Sequence, residues 1–378
     1  MAKTDKSKKQ KKASEPKQTA PYFAPQIVFN ILLWLPIASL LNASLVCKEW
    51  YRIICDPNFL KAYHLDLGSA LLLQEPKLSY YETYLVTMKR GLLSKIASAR
   101  LCFTEKIVGS CNEYTLLKPQ VENSGLFVAN HATQKIHKLP GCPLSLGEYP
   151  NYYGIGFNPN TKEYKVVCFG KTNGSDYMNC AVLTQGSRTW TPINQSLDGN
   201  IIPGRSISIK GFLHWHGKNI STGYFEKIIS MDLNNEEFFG TIGPNICLQY
   251  GPCAYDLLEI EGCLSLIEYE VSCQIQFEIF SLKDISDGKW EKLFSIYMET
   301  KEYSPILSLD DLDLYYIGSL YNGKYLLFKQ RKRWMKKMDY FVVDLEHREM
   351  KPVEIGIKML SSACSARFID ASTFCSSY

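Results

Sequence analysis

The chain has 378 residues, 46% of them apolar and 21% charged, which is the balance of an ordinary soluble protein with room for more than one domain. Its net charge of +4 is concentrated at one end, because seven lysines and two acidic residues give positions 1–17 a charge of +5 and leave the rest at −1. A nearly neutral folded part argues against the basic groove that nucleic-acid binding requires. Residues 1–20 are predicted to be a disordered, Lys-rich tail, with a nuclear-import patch as the alternative.

The cysteine pattern argues against a secreted protein. Thirteen cysteines are scattered from Cys47 to Cys375, and no two of them form a C-x-x-C pair. The odd number and the polar N-terminal residues favour reduced thiols over a disulfide framework, and therefore a cytoplasmic or nuclear protein. The most apolar stretch, residues 27–46, contains two asparagines and a proline, so no membrane segment is predicted.

Three short helices are predicted in residues 21–64. Apolar residues recur at four-residue spacing in the first helix, as Ile27 and Ile31 do, and Pro36 ends this helix and begins the second. The third ends before Asp56-Pro57, which favours a turn. About forty residues cannot bury this much apolar surface among themselves. The surplus therefore either meets a partner or packs against the rest of the chain.

The same segment resembles the F-box. The resemblance rests on three stretches with the family's spacing, FAPQIVFNILLWLP at 23–36, LVCKEW at 45–50 and IICDPNF at 53–59. One departure is Phe23-Ala24 in place of the usual opening Leu-Pro. An F-box implies docking on a Skp-family adaptor, and the adaptor-facing positions of the family match eight residues here: Ile31, Leu32, Leu35, Pro36, Leu40, Val46, Cys47 and Trp50.

Beyond residue 100 the pattern changes to strands and turns that repeat about every fifty residues. Five closing pairs of bulky apolar residues begin 54, 49, 51 and 60 residues apart, at Ile136, Trp190, Phe239, Trp290 and Met350. A glycine that opens an apolar strand precedes the last three closings by 28, 28 and 27 residues, at Gly211, Gly262 and Gly323. This repeat length is typical of a four-stranded propeller blade.

The chain is therefore predicted to be α+β overall, with a small all-α unit followed by an all-β domain that forms a six-bladed β-propeller. Residues 65–105 and 356–378 flank the five closings and are expected to complete the sixth blade from both ends, which closes the ring without an open sheet edge. A β-sandwich is the alternative. The predicted boundaries are 21–64 for the helices, 65–100 for a linker with the first strands, and 101–378 for the β-domain.

The second half also resembles a known family, the F-box-associated domain of plant F-box proteins. The resemblance spans residues 107–355 and rests on IVGSCN at 107–112, YGIGFNP at 153–159, YKVV at 164–167 and KGFLHW at 210–215, although Glu113 replaces a usual glycine. These are scaffold motifs, so they support the fold and leave the target-binding residues unassigned.

Catalytic and cofactor motifs are not found in the sequence. It has no phosphate-binding loop, dinucleotide fingerprint or nucleophile elbow. His214 and His216 share one face of a predicted strand, but no third metal ligand lies near them in the sequence, so packing is the better interpretation. Cys47 and Cys111 have no activating base in their motifs. The chain is therefore predicted to be non-catalytic and to need no cofactor or metal.

The two resemblances together imply a substrate-recognition subunit of a Skp–cullin–F-box ubiquitin ligase. The F-box would dock on the adaptor and, through it, on the cullin scaffold, while the β-domain would hold an unidentified target protein beside the conjugating enzyme. Such a subunit acts by proximity. The alternatives are a propeller-type glycan-binding lectin or enzyme, and an F-box protein that acts outside the cullin complex.

Overall fold

The computed structural model describes residues 23–369 apart from several short segments. The segments outside the description are 36, 57, 60–61, 63–69, 77, 89–94, 102–103, 113, 120–124, 131–134, 145–151, 172–175, 222–224, 242, 245–253, 272–273, 286–287, 300–311, 321–322, 333–337 and 356–364. The predicted disordered tail and Pro36 lie outside the described residues.

The three predicted helices are confirmed as α1 (Pro25–Leu33), α2 (Ile37–Ser44) and α3 (Lys48–Ile54). Pro25 occupies the first turn of α1, where a missing N–H costs no hydrogen bond. Cys47 is the N-cap of α3, and its Sγ accepts a hydrogen bond from the backbone N–H of Trp50 at 3.5 Å. None of the helices in the described part of the chain has the length and apolarity that crossing a membrane requires.

The described residues that follow form strands. The first eleven are β1 (Ala70–Pro76), β2 (Tyr81–Met88), β3 (Lys95–Leu101), β4 (Lys106–Cys111), β5 (Tyr114–Lys118), β6 (Phe127–Asn130), β7 (Lys135–Lys138), β8 (Tyr152–Asn158), β9 (Glu163–Lys171), β10 (Tyr177–Thr184) and β11 (Thr191–Asp198). The next are β12 (Ile201–Ile209), β13 (Phe212–Asn219), β14 (Phe225–Asp232), β15 (Glu237–Thr241), β16 (Ala254–Ile260), β17 (Cys263–Val271), β18 (Gln274–Leu282) and β19 (Trp290–Glu299). The last are β20 (Leu312–Leu320), β21 (Tyr325–Lys332), β22 (Met338–Asp344), β23 (Glu349–Ile355) and β24 (Ser365–Ile369).

These strands form a ring of sheets. Four sheets are antiparallel meanders of four strands each, β4–β7, β8–β11, β12–β15 and β16–β19. Their first strands contact one another in chain order, and β16 contacts β20. The ring closes because β24 contacts both β20 and β4. The β-propeller prediction is therefore correct, and the β-sandwich alternative is wrong.

The predicted number of six blades is wrong, because the propeller has five. The strands from the two flanks are present and pair as expected, since β24 lies antiparallel beside β1 and the order continues to β2 and β3. They do not form a separate sheet. β23 and β3 pair in parallel through Glu354↔Lys95 and Ile355↔Ile96, which merges the flanking strands with β20–β23 into one sheet of eight strands.

The fifty-residue repeat corresponds to the blade. The first residues of all five closing pairs lie at the fourth strand of a meander, namely β7, β11, β15, β19 and β23. Trp190 and Trp290 both stand at the start of such a strand and both pack against the preceding blade. Trp190 is buried there, and its Nε1 donates a hydrogen bond to the carbonyl of Pro140 at 3.0 Å.

Tight turns join the first and second strands of the blades. Lys210-Gly211 and Glu261-Gly262 each place two successive residues at positive φ, 48° and 87° in the first turn and 51° and 74° in the second. Two left-handed residues make the two-residue hairpin turn whose twist matches the flanking strands. Glycine is required at the second position, where a larger residue is strained.

A wider turn also recurs, in which a side chain holds the backbone. The Oδ1 of Asn158, Asp232 and Asp344 accepts hydrogen bonds from the backbone N–H groups two and three residues further on, at 2.7–3.5 Å. In each turn the fourth residue on has positive φ, at Lys162, Glu236 and Arg348. Asn and Asp favour such turns because their side chains imitate a backbone acceptor.

The helices do not stand apart from the ring. One apolar cluster contains buried residues of the helical unit (Val28, Leu32, Leu40, Ala43, Ile54 and Phe59) together with buried residues of the strands (Leu72, Ile107, Leu117 and Ala129). The helices therefore bury part of their surplus apolar surface against the rest of the chain. The other part stays exposed.

Candidate functional site

Helix α1 is apolar on two sides. Val28 and Leu32 face the core and are 5% and 0% exposed, whereas Ile27 and Ile31 on the other side are 49% and 48% exposed. The spacing of four residues explains both stripes, because residues i and i+4 share a helix face. Phe23 and Trp34 extend the outer stripe at its two ends and are also exposed.

The turn between α2 and α3 exposes a second group of apolar side chains. Leu45 is 82% exposed and Val46 is 64% exposed, and Cys47 beside them is exposed as well. We call Phe23, Ile27, Ile31, Trp34, Leu45 and Val46 the exposed helical set. Together with Tyr51 they make up half of all large exposed apolar residues in the described part of the chain. Such a concentration on a small unit indicates a surface that another protein covers.

The eight predicted adaptor-facing residues occupy three environments. Ile31, Val46 and Cys47 are exposed, Leu35 and Trp50 are half-buried, and Leu32 and Leu40 are fully buried in the core beneath them. Pro36 is not among the described residues. The exposed three can contact a partner directly, and Leu32 and Leu40 support the surface from inside.

Several exposed apolar residues were not among the eight. Phe23, Ile27, Trp34 and Leu45 lie within the motifs of the sequence, but the motifs do not mark them as exposed. Their exposure follows from which apolar side chains of the helices are buried against the ring. The charge around them is sparse, since α1 and α2 have neither an acidic first turn nor a basic last turn. A hydrogen bond to Cys55 raises the pKa of Tyr51 above its usual value.

A polar cluster lies inside the ring between the third and fifth blades. Arg205, on the innermost strand β12, donates from its guanidinium to the carbonyl of Ile317 on β20 at 3.4 Å. A bulge between Pro203 and Ser206 directs it there, and the backbone N–H of Arg205 donates to Nε2 of His216 at 3.3 Å. A Cβ on Gly204 would overlap the imidazole of His216, so glycine is needed at this bulge.

The predicted packing role of the two histidines agrees with their surroundings. His214 and His216 are 0% and 7% exposed, and Nδ1 of His214 lies 2.8 Å from Oγ of Ser230. Burial lowers the pKa of His214 to about 3. Burial, with Lys218 and Arg205 nearby, lowers the pKa of His216 to about 4. Both are neutral at physiological pH. Within the described residues, no group of three or more His, Cys, Asp or Glu side chains is arranged to hold a metal ion.

Comparison with known families identifies both parts of the chain. Residues 25–62 match the profile of the F-box domain, and residues 89–374 match the F-box associated beta propeller domain. The second match covers more than half of the chain. This chain belongs to the F-box proteins with an F-box-associated β-propeller. The F-box implies binding of a Skp-type adaptor, and the propeller implies binding of a target.

The relatives of this F-box protein are plant proteins. An F-box/kelch-repeat protein of Arabidopsis thaliana is 23% identical over 78% of this chain and 85% of its own length. A putative F-box protein of the same organism is 24% identical over 91% of this chain and 89% of its own. Among solved structures, an oligogalacturonate lyase in complex with manganese is 9% identical, with a TM-score of 0.43 and coverage of 72% of both chains.

Proposed function

We propose that this F-box protein is the substrate-recognition subunit of a Skp–cullin–F-box ubiquitin ligase and has no catalytic role of its own. The F-box binds the Skp-family adaptor, the adaptor binds the cullin scaffold, and the propeller holds the target protein. The observation that carries the proposal is the exposed helical set, because these large apolar side chains are 48–82% exposed on one small unit.

The shape of the helical unit supports a docking role. Its core residues Val28, Leu32 and Phe59 pack into a cluster shared with the ring, so the outer side of α1 is presented on a firm support. Phe59 is fully buried and meets the ring of Phe29 edge-on at a centroid distance of 5.1 Å. A partner therefore meets pre-ordered apolar groups, and less side-chain entropy is lost on binding.

The chemistry of the propeller supports a binding role over an enzymatic one. Two polar groups inside the ring are used within the fold, since Arg205 joins two blades and Nε2 of His216 accepts the backbone N–H of the bulge. A recognition subunit accelerates ubiquitin transfer by holding the target next to the conjugating enzyme, which raises the effective concentration. A location in the cytoplasm or nucleus belongs to this proposal and rests on the cysteine pattern.

The test compares two matched double substitutions. Ile31→Ala with Val46→Ala removes two side chains of the exposed helical set. Ile136→Ala with Ile220→Ala removes two apolar side chains of similar exposure from the ring, where Ile136 and Ile220 are 45% and 56% exposed. Truncating a contact residue typically costs about 1–2 kcal/mol. We expect the first variant to bind a Skp-family adaptor about 30- to 1,000-fold more weakly, and the second to bind like wild type, as measured by titration calorimetry.

Equal adaptor affinity of the two variants would exclude the helices as the docking surface. A second measurement tests the role in the ligase. The adaptor complex of the wild-type chain, mixed with cullin and conjugating enzyme, should support ubiquitin transfer to the chain itself or to a bound protein. Normal adaptor binding without cullin assembly would instead place the protein outside the ligase.

A further inference from the structure

A groove lies between the blades β12–β15 and β16–β19. Its floor is formed by the buried side chains of Ile209, Leu264 and Leu282, and its walls by the half-buried Phe212, Phe239 and Ile285. Its volume is about 860 Å³, which is in the range of sites that accept large ligands. We call this space the inter-blade groove.

The walls of the inter-blade groove are aromatic and fixed. The rings of Phe212 and Phe239 stand edge to face with centroids 5.9 Å apart, and Phe212 also stacks on the buried ring of His214 at 6.1 Å. Aromatic side chains supply much contact area and lose little entropy on binding. The groove is therefore shaped for an inserted apolar side chain.

The charged residues at the mouth of the groove are Lys210, Lys283 and Asp284, an excess of one positive charge. Lys283 pairs with Glu291 at 3.1 Å on the open surface, where both side chains are more than 60% exposed and the pair is weak. Lys210 makes no ion pair with any residue that the structure describes. A negatively charged group on the occupant is the natural complement of Lys210.

The location leaves the groove accessible in the assembled ligase. The turns after β12 and β16 and the loop after β18 all meet on one face of the ring, because alternate turns of a meander share a face. The F-box packs against β1 and against the blade β4–β7, whereas the groove lies between the blades β12–β15 and β16–β19. An occupant of the groove is thus kept apart from the adaptor.

We propose that the inter-blade groove is the target-binding site and that it takes an extended, acidic peptide segment with one large apolar side chain. The apolar side chain packs between the Phe212–Phe239 pair on one wall and Ile285 on the other, and a neighbouring Asp or Glu lies near Lys210. The proposal rests on the recognition function proposed above and names the class of segment that is recognised.

The structure offers a matched pair of truncations on one strand. Phe238 and Phe239 are adjacent half-buried residues of β15, and successive residues of a strand point to opposite faces. Phe239 lines the groove, whereas Phe238 packs against Phe169 and Trp215. Phe239→Ala therefore removes part of one wall of the groove, and Phe238→Ala is the matched control.

A second matched pair of variants tests the positive charge at the mouth of the groove. Lys210 and Lys162 are both exposed turn lysines at positive φ, 48° and 59°, and only Lys210 lines the groove. Asparagine tolerates this backbone conformation. Lys210→Asn therefore removes the charge of the mouth, and Lys162→Asn is its control.

The experiment selects displayed random linear peptides on the full chain and measures the affinity of the enriched peptides by fluorescence anisotropy. We expect peptides in which Asp or Glu flanks a large apolar residue. Phe239→Ala should weaken their binding about ten-fold or more, and Lys210→Asn several-fold, most strongly at low salt. The two controls should bind like wild type.

Three results would overturn the proposal: no enrichment, enriched peptides without acidic residues, or unchanged binding to Phe239→Ala. Binding of small apolar dyes in place of peptides would assign the groove to another ligand class. Adaptor affinity is measured in parallel on the same variants and should not change. Peptide binding without adaptor binding would refute the ligase proposal alone, and adaptor binding without peptide binding would refute the groove alone.

Discussion

The three helices and the strands of the ring owe their order to different interactions. α1, α2 and α3 have nine, eight and seven residues, and helices of this length are unstable in isolation. α1 has no side-chain cap at its N-terminus. The blades, by contrast, have turns in which side chains such as Asp232 and Asp344 hold the backbone. The helices are therefore ordered by what they pack against, and the blades are largely ordered from within.

The largest test of this comparison removes the strand that closes the ring. A chain that ends at Ile355 lacks β24, whose five residue pairs with β1 run from Ala70↔Ile369 to Gln74↔Ser365. At about 1 kcal/mol for each hydrogen bond, the loss is about 5 kcal/mol before any apolar contact is counted. We expect one transition at a melting temperature lower by about 10–20 °C. A small change would show that the remaining sheets are stable without closure.

A second test contrasts two neighbours on α1. Leu32 is fully buried and Ile31 is 48% exposed. We expect Leu32→Ala to lower the free energy of unfolding by about 2–5 kcal/mol, because it leaves a cavity in the cluster that joins the helices to the ring. Ile31→Ala should lower it by less than about 0.5 kcal/mol. Denaturant titration of both variants measures the contrast, and similar losses would contradict the assigned orientation of α1.

A third test concerns the electrostatics of a blade turn. Burial alone would raise the pKa of Asp344, but hydrogen bonds from His347 and from the backbone N–H groups of His347 and Glu346 outweigh it, so the pKa is lowered from 3.8. A lowered folded-state pKa adds stability above the unfolded value, and this stability is lost as the pH falls through the folded value. Asp344→Asn should therefore cost about 1 kcal/mol at pH 7. The difference from wild type should begin to shrink below about pH 4, near the unfolded pKa, and vanish only below the lowered folded pKa.

The control for this pH dependence is Asp232→Asn. Asp232 makes the same turn, but Asn235 stands where the other turn has His347. The thermal stability of Asp232→Asn relative to wild type should change less between pH 7 and pH 3 than that of Asp344→Asn. An equal pH response of the two variants would assign the effect to the turn itself and not to the Asp344–His347 contact of 2.8 Å.

The smallest expected effect is a gain in the free energy of unfolding. Lys162 has φ of 59°, a conformation that costs a residue with a Cβ about 1 kcal/mol. Lys162→Gly removes this strain and adds unfolded-state entropy, so we expect a net stabilisation of up to about 0.5 kcal/mol. Thr161→Gly, one position earlier and without positive φ, should instead destabilise. Differential scanning calorimetry compares the two, and a loss for both would contradict the strain at Lys162.

Much of the fold was predictable because its signals are local. The proline at position 36 predicted the break between α1 and α2, the closings at Trp190 and Trp290 predicted the fourth strands, and glycines such as Gly211 predicted the tight turns. The blade count failed for a physical reason. Parallel pairing of Glu354 with Lys95 and Ile355 with Ile96 depends on two outer strands meeting in space, and nothing in either strand's own sequence records it.

The candidate sites were predictable only in part. The F-box motif indicated Ile31 and Val46, which are exposed, but also Leu32 and Leu40, which are buried, because a motif records spacing and not burial. The inter-blade groove had no sequence signal. Its walls come from Phe212 and Phe239 on one blade and Ile285 on the next, and each of these residues is an ordinary strand or loop residue when read alone.

The position of β24 in the chain has a consequence for biosynthesis. A ribosome makes β1 before any other strand and β24 after all of them, yet the two lie side by side. The F-box helices are complete long before this pairing forms, while their support on the ring is still being made. An unfinished chain therefore exposes the helical set before the propeller is complete. Because β24 contacts both β20 and β4, the ring can close only after the last strand has left the ribosome.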